Sequence, residues 1–500
     1  MLTGRASNGH RARKKRKREH REEPYVRSGK RSLFVSSISL GKFTRFVLVC
    51  ALAFSPVSYA QQVGLTRVLA LARQNDPTYL GAQAKLRASR ERSSQATSYV
   101  LPQLAVKGGY NRNDRRYETI GGTFPVPVSE SQYNGYNAQL SLTQPLWQHS
   151  SLIGMSQARI VVSQSEHEVK AAEQDLLLRL AKAWFEALGA ADLQVHAEAR
   201  AVATRLQWDQ LRKASSIDLA ANPELEDARA KFEQAMAERI ASASELEAKR
   251  AALEEVVGPL PETALPALSR QYVPPTPDGT TEYDWIRAAE EQNPSVLAAR
   301  AAFEAAGMEV RRQRSGHEPT LSLVGSYGLN NQGEGNFPGQ SGYDIRLKSI
   351  GVEISIPLYQ GGLQSAKVGE AVALRSQAEQ EMQQALRSAR SAAKTAWYLW
   401  QAGSARHRAA LQSVKSSTVA LRFASLATER EIKFDLDVLQ AREQLLDNWT
   451  RLQQSQYDTV LAWMRLKAAS GQLTDADFAS LEPAWVARDT EAQTLTASSN

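Results

Sequence analysis

Four stretches of the chain alternate strictly between apolar and polar positions. Leu104, Val106 and Tyr110 share one parity against Gln103, Lys107 and Asn111, and Tyr136, Ala138, Leu140 and Leu142 stand against Asn137, Gln139, Ser141 and Thr143. The pattern returns with Leu321, Leu323, Tyr327 and Leu329 against Thr320, Ser322 and Ser326, then with Ile350, Val352, Ile354 and Ile356 against Gly351, Glu353 and Ser355. A period of two predicts strands with one apolar and one polar face.

Helical spacing surrounds these strands. Residues 64–98 and 283–314 are alanine-rich, with Ile286, Ala289, Val296 and Ala299 on a common side. Pro102 and Pro319 end the helical reading and begin the alternation. From Trp147 to about Leu219, and from Gln360 to about Thr428, there is no proline and little glycine. Some seventy residues at 1.5 Å each make a helix of about 100 Å, longer than one globular core can cover. Such helices must pack side by side. Val438, Leu445, Leu452 and Leu466 lie on the seven-residue grid of a coiled-coil seam, and Leu176, Leu180, Trp184 and Leu188 step by four along the first long helix.

The chain is two copies of one unit. Gln74-Asn-Asp-Pro77 recurs as Gln292-Asn-Pro294, and Leu101-Pro-Gln-Leu as Glu318-Pro-Thr-Leu, with Pro77 to Pro294 and Pro102 to Pro319 both separated by 217. Pro145 to Pro357 is a step of 212, and Trp184 to Trp397 and Gly258 to Gly471 are steps of 213. This register divides the chain into a leader at 1–60, repeat one at 61–258 with its hairpin at about 101–146, and a proline-rich linker at 259–282. Repeat two follows at 283–472 with its hairpin at about 319–358, then a polar C-terminal tail at 473–500. Each repeat reads helix, two strands, long helix, return helix.

Charge sharpens the leader. Lys and Arg total 61 against 53 Asp and Glu, but 14 of the basic and 3 of the acidic residues lie in the first sixty, so the remainder is mildly acidic. That argues against nucleic acid as a partner. Phe46 to Phe54 is an apolar core preceded by Lys42 and Arg45 and followed by Ser58 and Ala60, the order of a secretory signal with cleavage between Ala60 and Gln61. A short buried helix is the alternative. The basic run Arg11 to Arg18 reads as an over-long leader or a misassigned start. Cys50 is the one cysteine, which excludes disulfides and thiolate metal sites elsewhere; as a lipid acceptor it follows a bulky Val49. Mean hydropathy is −0.41, and no apolar run reaches the roughly 18 residues of a spanning helix.

The strands therefore belong either to a sandwich or to a membrane barrel. Each hairpin is embedded between helices behind a secretory leader, and Gly/Pro-rich loops at Gly121–Pro127 and Gly333–Gly339 cap the strand pairs, which fits spanning strands of roughly 10 residues with longer outer loops. A sheet in lipid tolerates no open edge. Four strands cannot close a barrel, so the barrel must be shared: two chains give eight strands and a filled interior, three give twelve and an aqueous lumen.

Gln292-Asn-Pro294, Arg314-Ser-Gly-His-Glu-Pro-Thr-Leu321, Ile356-Pro-Leu-Tyr-Gln-Gly-Gly362 and Asp437-Val-Leu-Gln-Ala441 stand in the order found in TolC-type outer-membrane export channels, which the chain resembles over residues 64–473, most closely the type I secretion members. The resemblance implies a mainly α protein with β: a homotrimer with a transmembrane β-barrel of four strands per chain, continued by a long coiled-coil helical barrel in the periplasm. It implies a passive exit duct for a secreted protein or for small-molecule efflux, in the outer membrane and in contact with its lipid. The implied partners are a periplasmic adaptor and an inner-membrane transporter, ABC or other, with no cofactor and no catalysis.

The same resemblance assigns a periplasmic gate. Asp437 matches a constriction aspartate, Gln440 stands where a second aspartate is usual, the gate arginine falls on Lys433, the gate tyrosine on Thr428, and the acidic partner in repeat one on Glu224. Lysine cannot make the bidentate links of arginine, so the gate is weaker than the family pattern. A solvated coiled-coil face explains Asp437 equally well. The hairpin tips, expected to dock the adaptor, carry Asp218 and Glu431 in place of glycine.

Two rival classes remain. An enzyme would need chemistry that seven scattered histidines do not supply, with no His-Glu-x-x-His helix, phosphate loop or nucleophile elbow. A soluble periplasmic coiled-coil scaffold accounts for leader and helices but leaves four amphipathic strands unexplained.

Overall fold

The computed structural model describes residues 64–121, 128–215, 222–259, 265–269, 271–277, 281–337, 339–429 and 435–486, all within one compact unit, residues 60–500. The expected leader, with Cys50 and the expected cleavage pair Ala60 and Gln61, lies outside the described residues, as do Asp218 and Glu431, expected at the helix tips, and Lys433, expected in the gate.

The first repeat runs α1 (Leu65–Asn75), α2 (Pro77–Ser98), β1 (Gln103–Tyr117), β2 (Ser129–Trp147), α3 (His149–Ser215) and α4 (Asn222–Val257). A short β3 (Ala267–Leu268) precedes the second, which runs α5 (Glu282–Gln292), α6 (Pro294–Arg314), β4 (Thr320–Glu334), β5 (Ser341–Ser355), α7 (Leu363–Glu429) and α8 (Asp435–Ala469). The chain continues through α9 (Asp475–Ala479) and β6 (Trp485–Val486). Helices α3 and α7 are 67 residues each, about 100 Å long. Each is flanked by two shorter helices set end to end, α2 and α4 along α3, and α6 and α8 along α7.

The repeated Asn/Asp-Pro landmarks are helix breaks. Asp76 ends α1 and caps α2, its carboxylate accepting from the Tyr79 N–H at 2.8 Å, with Pro77 in the first turn. Asn293 does the same between α5 and α6, accepting from the Ser295 N–H at 2.9 Å. Short polar side chains satisfy free helix N–H groups, and proline there sacrifices no hydrogen bond. The glycine landmarks sit against these breaks. Gly258 (φ +83°) follows α4, and a Cβ on it would lie 2.7 Å from Asn75 Nδ2, which donates to the Val257 carbonyl. Gly471 (φ +74°) follows α8, and a Cβ there would lie 2.6 Å from the Gln292 carbonyl oxygen. Both positions need a left-handed backbone and a missing side chain.

The largest core lies at the middle of the long helices. Leu65, Val68 and Ala72 of α1 pack with Leu176, Leu180, Trp184 and Leu188 of α3, with Leu253 and Val257 of α4 and with Met464 of α8. The stretch expected to be a polar tail contributes to it: Phe478 and Leu481 are buried, Trp485 meets the Trp184 ring edge-on at 6.1 Å, and β6 pairs with β3 inside the proline-rich linker. Arg73 fixes α9 in place with two 2.6 Å hydrogen bonds to Asp475 and one to Glu173.

The four long strands form one antiparallel sheet in the order β1-β2-β4-β5, so the repeats meet at β2 and β4. The strands are 15, 19, 15 and 15 residues rather than about ten. Edges β1 and β5 have no partner strand among the described residues.

Candidate functional site

The register sets the two faces of the sheet. Leu104 opposes Leu142, Val106 opposes Leu140 and Tyr110 opposes Tyr136; Leu140 in turn opposes Tyr327, and Leu323 opposes Val352. These residues lie on one face. Its apolar side chains are exposed although nothing polar recommends them to water: Val106 is 76% and Ile350 78% exposed. Beyond Tyr110 the same parity yields Arg112, Asp114 and Arg116, so the apolar band covers only the half of the sheet nearer the helices. Tyr110 and Tyr136 form its upper rim. At the lower rim a bulge between Pro145 and Trp147 shifts the parity of β2, bringing Trp147 opposite Leu321 and onto the apolar face. An apolar band edged by aromatic side chains is the surface that a spanning barrel offers to lipid.

The opposite face carries Lys107, Asn111, Asn137, Gln139, Ser326 and Ser349, with a 2.7 Å hydrogen bond between the hydroxyls of Ser326 and Ser349. Ile345 and Leu347 also lie on this side, an apolar interruption that alternation alone did not indicate. Near the outer end, Arg115 donates to Glu334 Oε2 at 3.1 Å and to the Gly335 carbonyl, and covers the Tyr133 ring at 5.4 Å. Tyr343 Oη donates to Gln332 at 2.9 Å. This second face is polar, hydrogen-bonded and suited to line water.

At the far end of the helices, Asp437 is half-buried near the start of α8, and Gln440 is exposed one turn on. Glu224 is exposed near the start of α4. The two acids are equivalent: each is two residues into its helix, and they are separated by the same 213 residues as the tryptophan landmarks. A carboxylate in a first helical turn faces free N–H groups and the positive end of the helix dipole. Thr428 falls in the last turn of α7, with its side chain outside the described residues.

Two polar contacts that sequence reasoning missed hold the helices in register. Asp76 accepts from Arg179 Nη1 at 2.8 Å; burial pushes its carboxyl up, but Arg179 and the Tyr79 N–H outweigh this and hold it below the ordinary value. Tyr457 donates to Asp192 at 2.6 Å within the core. No group of three or more metal-ligating side chains occurs among the described residues, and no described helix is long and apolar enough to cross a membrane.

The profile described as "Outer membrane efflux protein" matches residues 68–259 and 285–472, most of both repeats. The chain belongs to the outer membrane efflux protein family. Among similar relatives, the outer membrane protein TolC of Vibrio cholerae serotype O1 is 28% identical over 83% of this chain and 92% of its own length. The proteases secretion protein PrtF of Dickeya chrysanthemi is 26% identical over 85% of this chain and 92% of its own. Among solved structures, the CmeC outer membrane channel of Campylobacter jejuni superposes with a TM-score of 0.68 at 16% identity, covering 82% of this chain and 86% of that one. The outer membrane protein VceC of Vibrio cholerae gives 0.63 at 21%, covering 81% and 96%. These likenesses establish the fold, and the family makes this chain an export channel of the outer membrane. The relatives TolC and PrtF carry outer-membrane and secretion names rather than enzyme names.

Proposed function

We propose that three copies of this chain close a twelve-stranded barrel in the outer membrane, continued by their helices into a periplasmic tunnel, and that the assembly is the passive exit duct of a tripartite export system. The observation that carries this is the sheet: four strands, an exposed apolar band and two edges without a partner strand among the described residues. Unpaired backbone groups in hydrocarbon cost several kcal/mol each, so the edges need strands from other copies. Cargo passes along the polar face.

The names of PrtF and of the alkaline protease secretion protein AprF of Pseudomonas aeruginosa favour a protein cargo. A periplasmic adaptor meets the helix tips around Asp218 and Glu431, and an inner-membrane transporter, of the ABC class in this reading, supplies the energy. The gate is the tunnel end where Asp437 of three copies presents three carboxylates. Glu224, Thr428, Lys433 and Gln440 make the weaker polar links between neighbouring helices. A partner that untwists α7 and α8 opens it.

The test is purification in detergent with measurement of native mass and of conductance in planar bilayers. A trimer that conducts is expected. A lone protomer that conducts, or recovery of the protein in the soluble periplasmic fraction, would end the reading.

A further inference from the structure

We infer that β5 of one copy pairs antiparallel with β1 of the next in a single register, in which Glu353 faces Lys107, Arg346 faces Asp114 and Asp344 faces Arg116. The inference rests on the shared-barrel reading above and adds which residues join the copies. In one chain both edge strands are almost wholly exposed, and their side chains carry complementary patterns.

Face parity removes half of the registers, because a slip by one residue turns every side chain of an edge to the wrong side. Among the rest, the apolar band must stay continuous. In the proposed register Ile350, Val352 and Ile354 of β5 meet Tyr110, Gly108 and Val106 of the neighbouring β1, and the lumen-side Tyr343 meets Tyr117. Slipping by two in one direction sets Arg346 against Arg112 and Asp344 against Asp114. Slipping by two in the other sets Arg346 against Arg116 and Ile350 against Arg112. Opposite charges on facing strands stabilise a pair and like charges destabilise it. The proposed register leaves one like-charge pair, Lys348 with Arg112. Both heads already turn to their own chain, Lys348 over the Tyr327 ring at 5.5 Å and Arg112 to Gln132 Oε1 at 3.1 Å.

Closure geometry agrees. Following the ladder from Lys107 leads through Gln139 and Gly328 to Leu347. The proposed pairing then takes Leu347 to Asn113 of the next copy, six residues farther along β1. Three copies accumulate a stagger of eighteen over twelve strands. At about 3.3 Å per residue and 4.8 Å between strands this is a tilt of about 45°, within the usual range for closed barrels. A stagger two residues larger per copy gives about 54°, outside it.

Paired cysteines test the register. In a Cys50→Ser background, Asp114→Cys with Arg346→Cys in one chain is expected to oxidise, in outer membranes, to a covalent trimer on non-reducing gels. The offset pair Arg112→Cys with Arg346→Cys moves the Cα atoms about 7 Å apart along the strand, beyond disulfide reach, and is expected to stay uncrosslinked. Crosslinking of the offset pair, or of neither pair in a protein whose native mass is trimeric, overturns the register and leaves the trimer standing. A monomeric mass overturns the shared barrel itself. Should the thiol variants fail to assemble, charge reversal decides: Lys107→Glu lowers the temperature at which the detergent trimer dissociates, and adding Glu353→Lys restores it. Failure of that rescue overturns the pairing.

Discussion

The Tyr457 hydroxyl donates a 2.6 Å hydrogen bond to Asp192 Oδ2, tying α8 of the second repeat to α3 of the first inside the largest core. Both residues are buried. Phe185 of α3 packs its ring on the same tyrosine at 5.7 Å, so the contact fixes both the height and the rotation of α8 on α3. Any opening that slides the second-repeat pair past the first must break or carry this bond.

Tyr457→Phe keeps the ring packing and leaves the buried carboxylate one donor short. A hydrogen bond to a charged group contributes about 1.5–3 kcal/mol. The variant is expected to unfold at lower denaturant with an unchanged slope, and to conduct more in planar bilayers than the parent. Equal stability would show that the bond does not hold the two repeats together.

In the proposed trimer, Asp437→Ala removes one carboxylate per copy at the tunnel end. The expected result is a higher single-channel conductance and weaker block by multivalent cations, which three clustered carboxylates bind far better than dispersed ones. Glu224→Ala at the equivalent position of α4 serves as comparison. Its exposure predicts a smaller effect than for half-buried Asp437. Unchanged conductance and block in Asp437→Ala remove it from the gate.

How much of this was legible before the structure depends on the range of the interaction. Period-two alternation marks Leu104 to Tyr110 and Ile350 to Ile356 as one-sided strands because successive side chains of a strand point to opposite faces. Absence of proline marks α3 and α7 because one such residue would break them. Asp76 and Asn293 stand out only as repeat landmarks inside stretches read as single helices, although the cap each one makes is a local device. The pairing of β2 with β4, the docking of Phe478 and Trp485 on the α3 core, and the Tyr457 to Asp192 bond join residues far apart in sequence, and no local pattern encodes them. Trp147 changes face through a one-residue bulge, which alternation counted from Leu142 cannot anticipate. Of the gate, the sequence gives the equivalence of Glu224 and Asp437 through the repeat register. Lys433 lies outside the described residues.

Glu309 of α6 predicts an acid-sensitive contribution to stability. Arg312 donates to both of its oxygens, at 2.8 and 2.7 Å, and Gln313 to one at 2.6 Å. The Arg312 hydrogen bond is the main cause that brings the carboxyl down from 4.5 to about 2 against the opposing effect of burial. A lowered native value means that the contribution is complete above pH 4.5 and is lost as pH falls toward 2. Arg312 is 42% exposed, so the pair contributes only about 1 kcal/mol. Thermal unfolding of the parent and of Glu309→Gln should differ at pH 6 and converge as the pH approaches about 2. A gap that persists at low pH assigns the effect to shape rather than charge.

Val352 and Gln139 separate the two faces of the sheet. Val352 opposes Leu323 on the apolar side, and Gln139 opposes Lys107 on the polar side. An arginine facing lipid near mid-depth costs roughly 2–4 kcal/mol per chain, whereas one in a water-filled interior costs little. Val352→Arg is therefore expected to deplete assembled trimer from outer membranes. Gln139→Arg, although it sets a like charge opposite Lys107, should assemble far better than Val352→Arg and shift the reversal potential of the channel toward anion selectivity, because three added positive charges then line the lumen of the proposed trimer. Normal assembly of Val352→Arg together with failure of Gln139→Arg would invert the faces, placing the polar residues against lipid. Since Glu353 and Lys107 share a face with Gln139, the same result would also remove the lumen-side ion pair from the joint between copies.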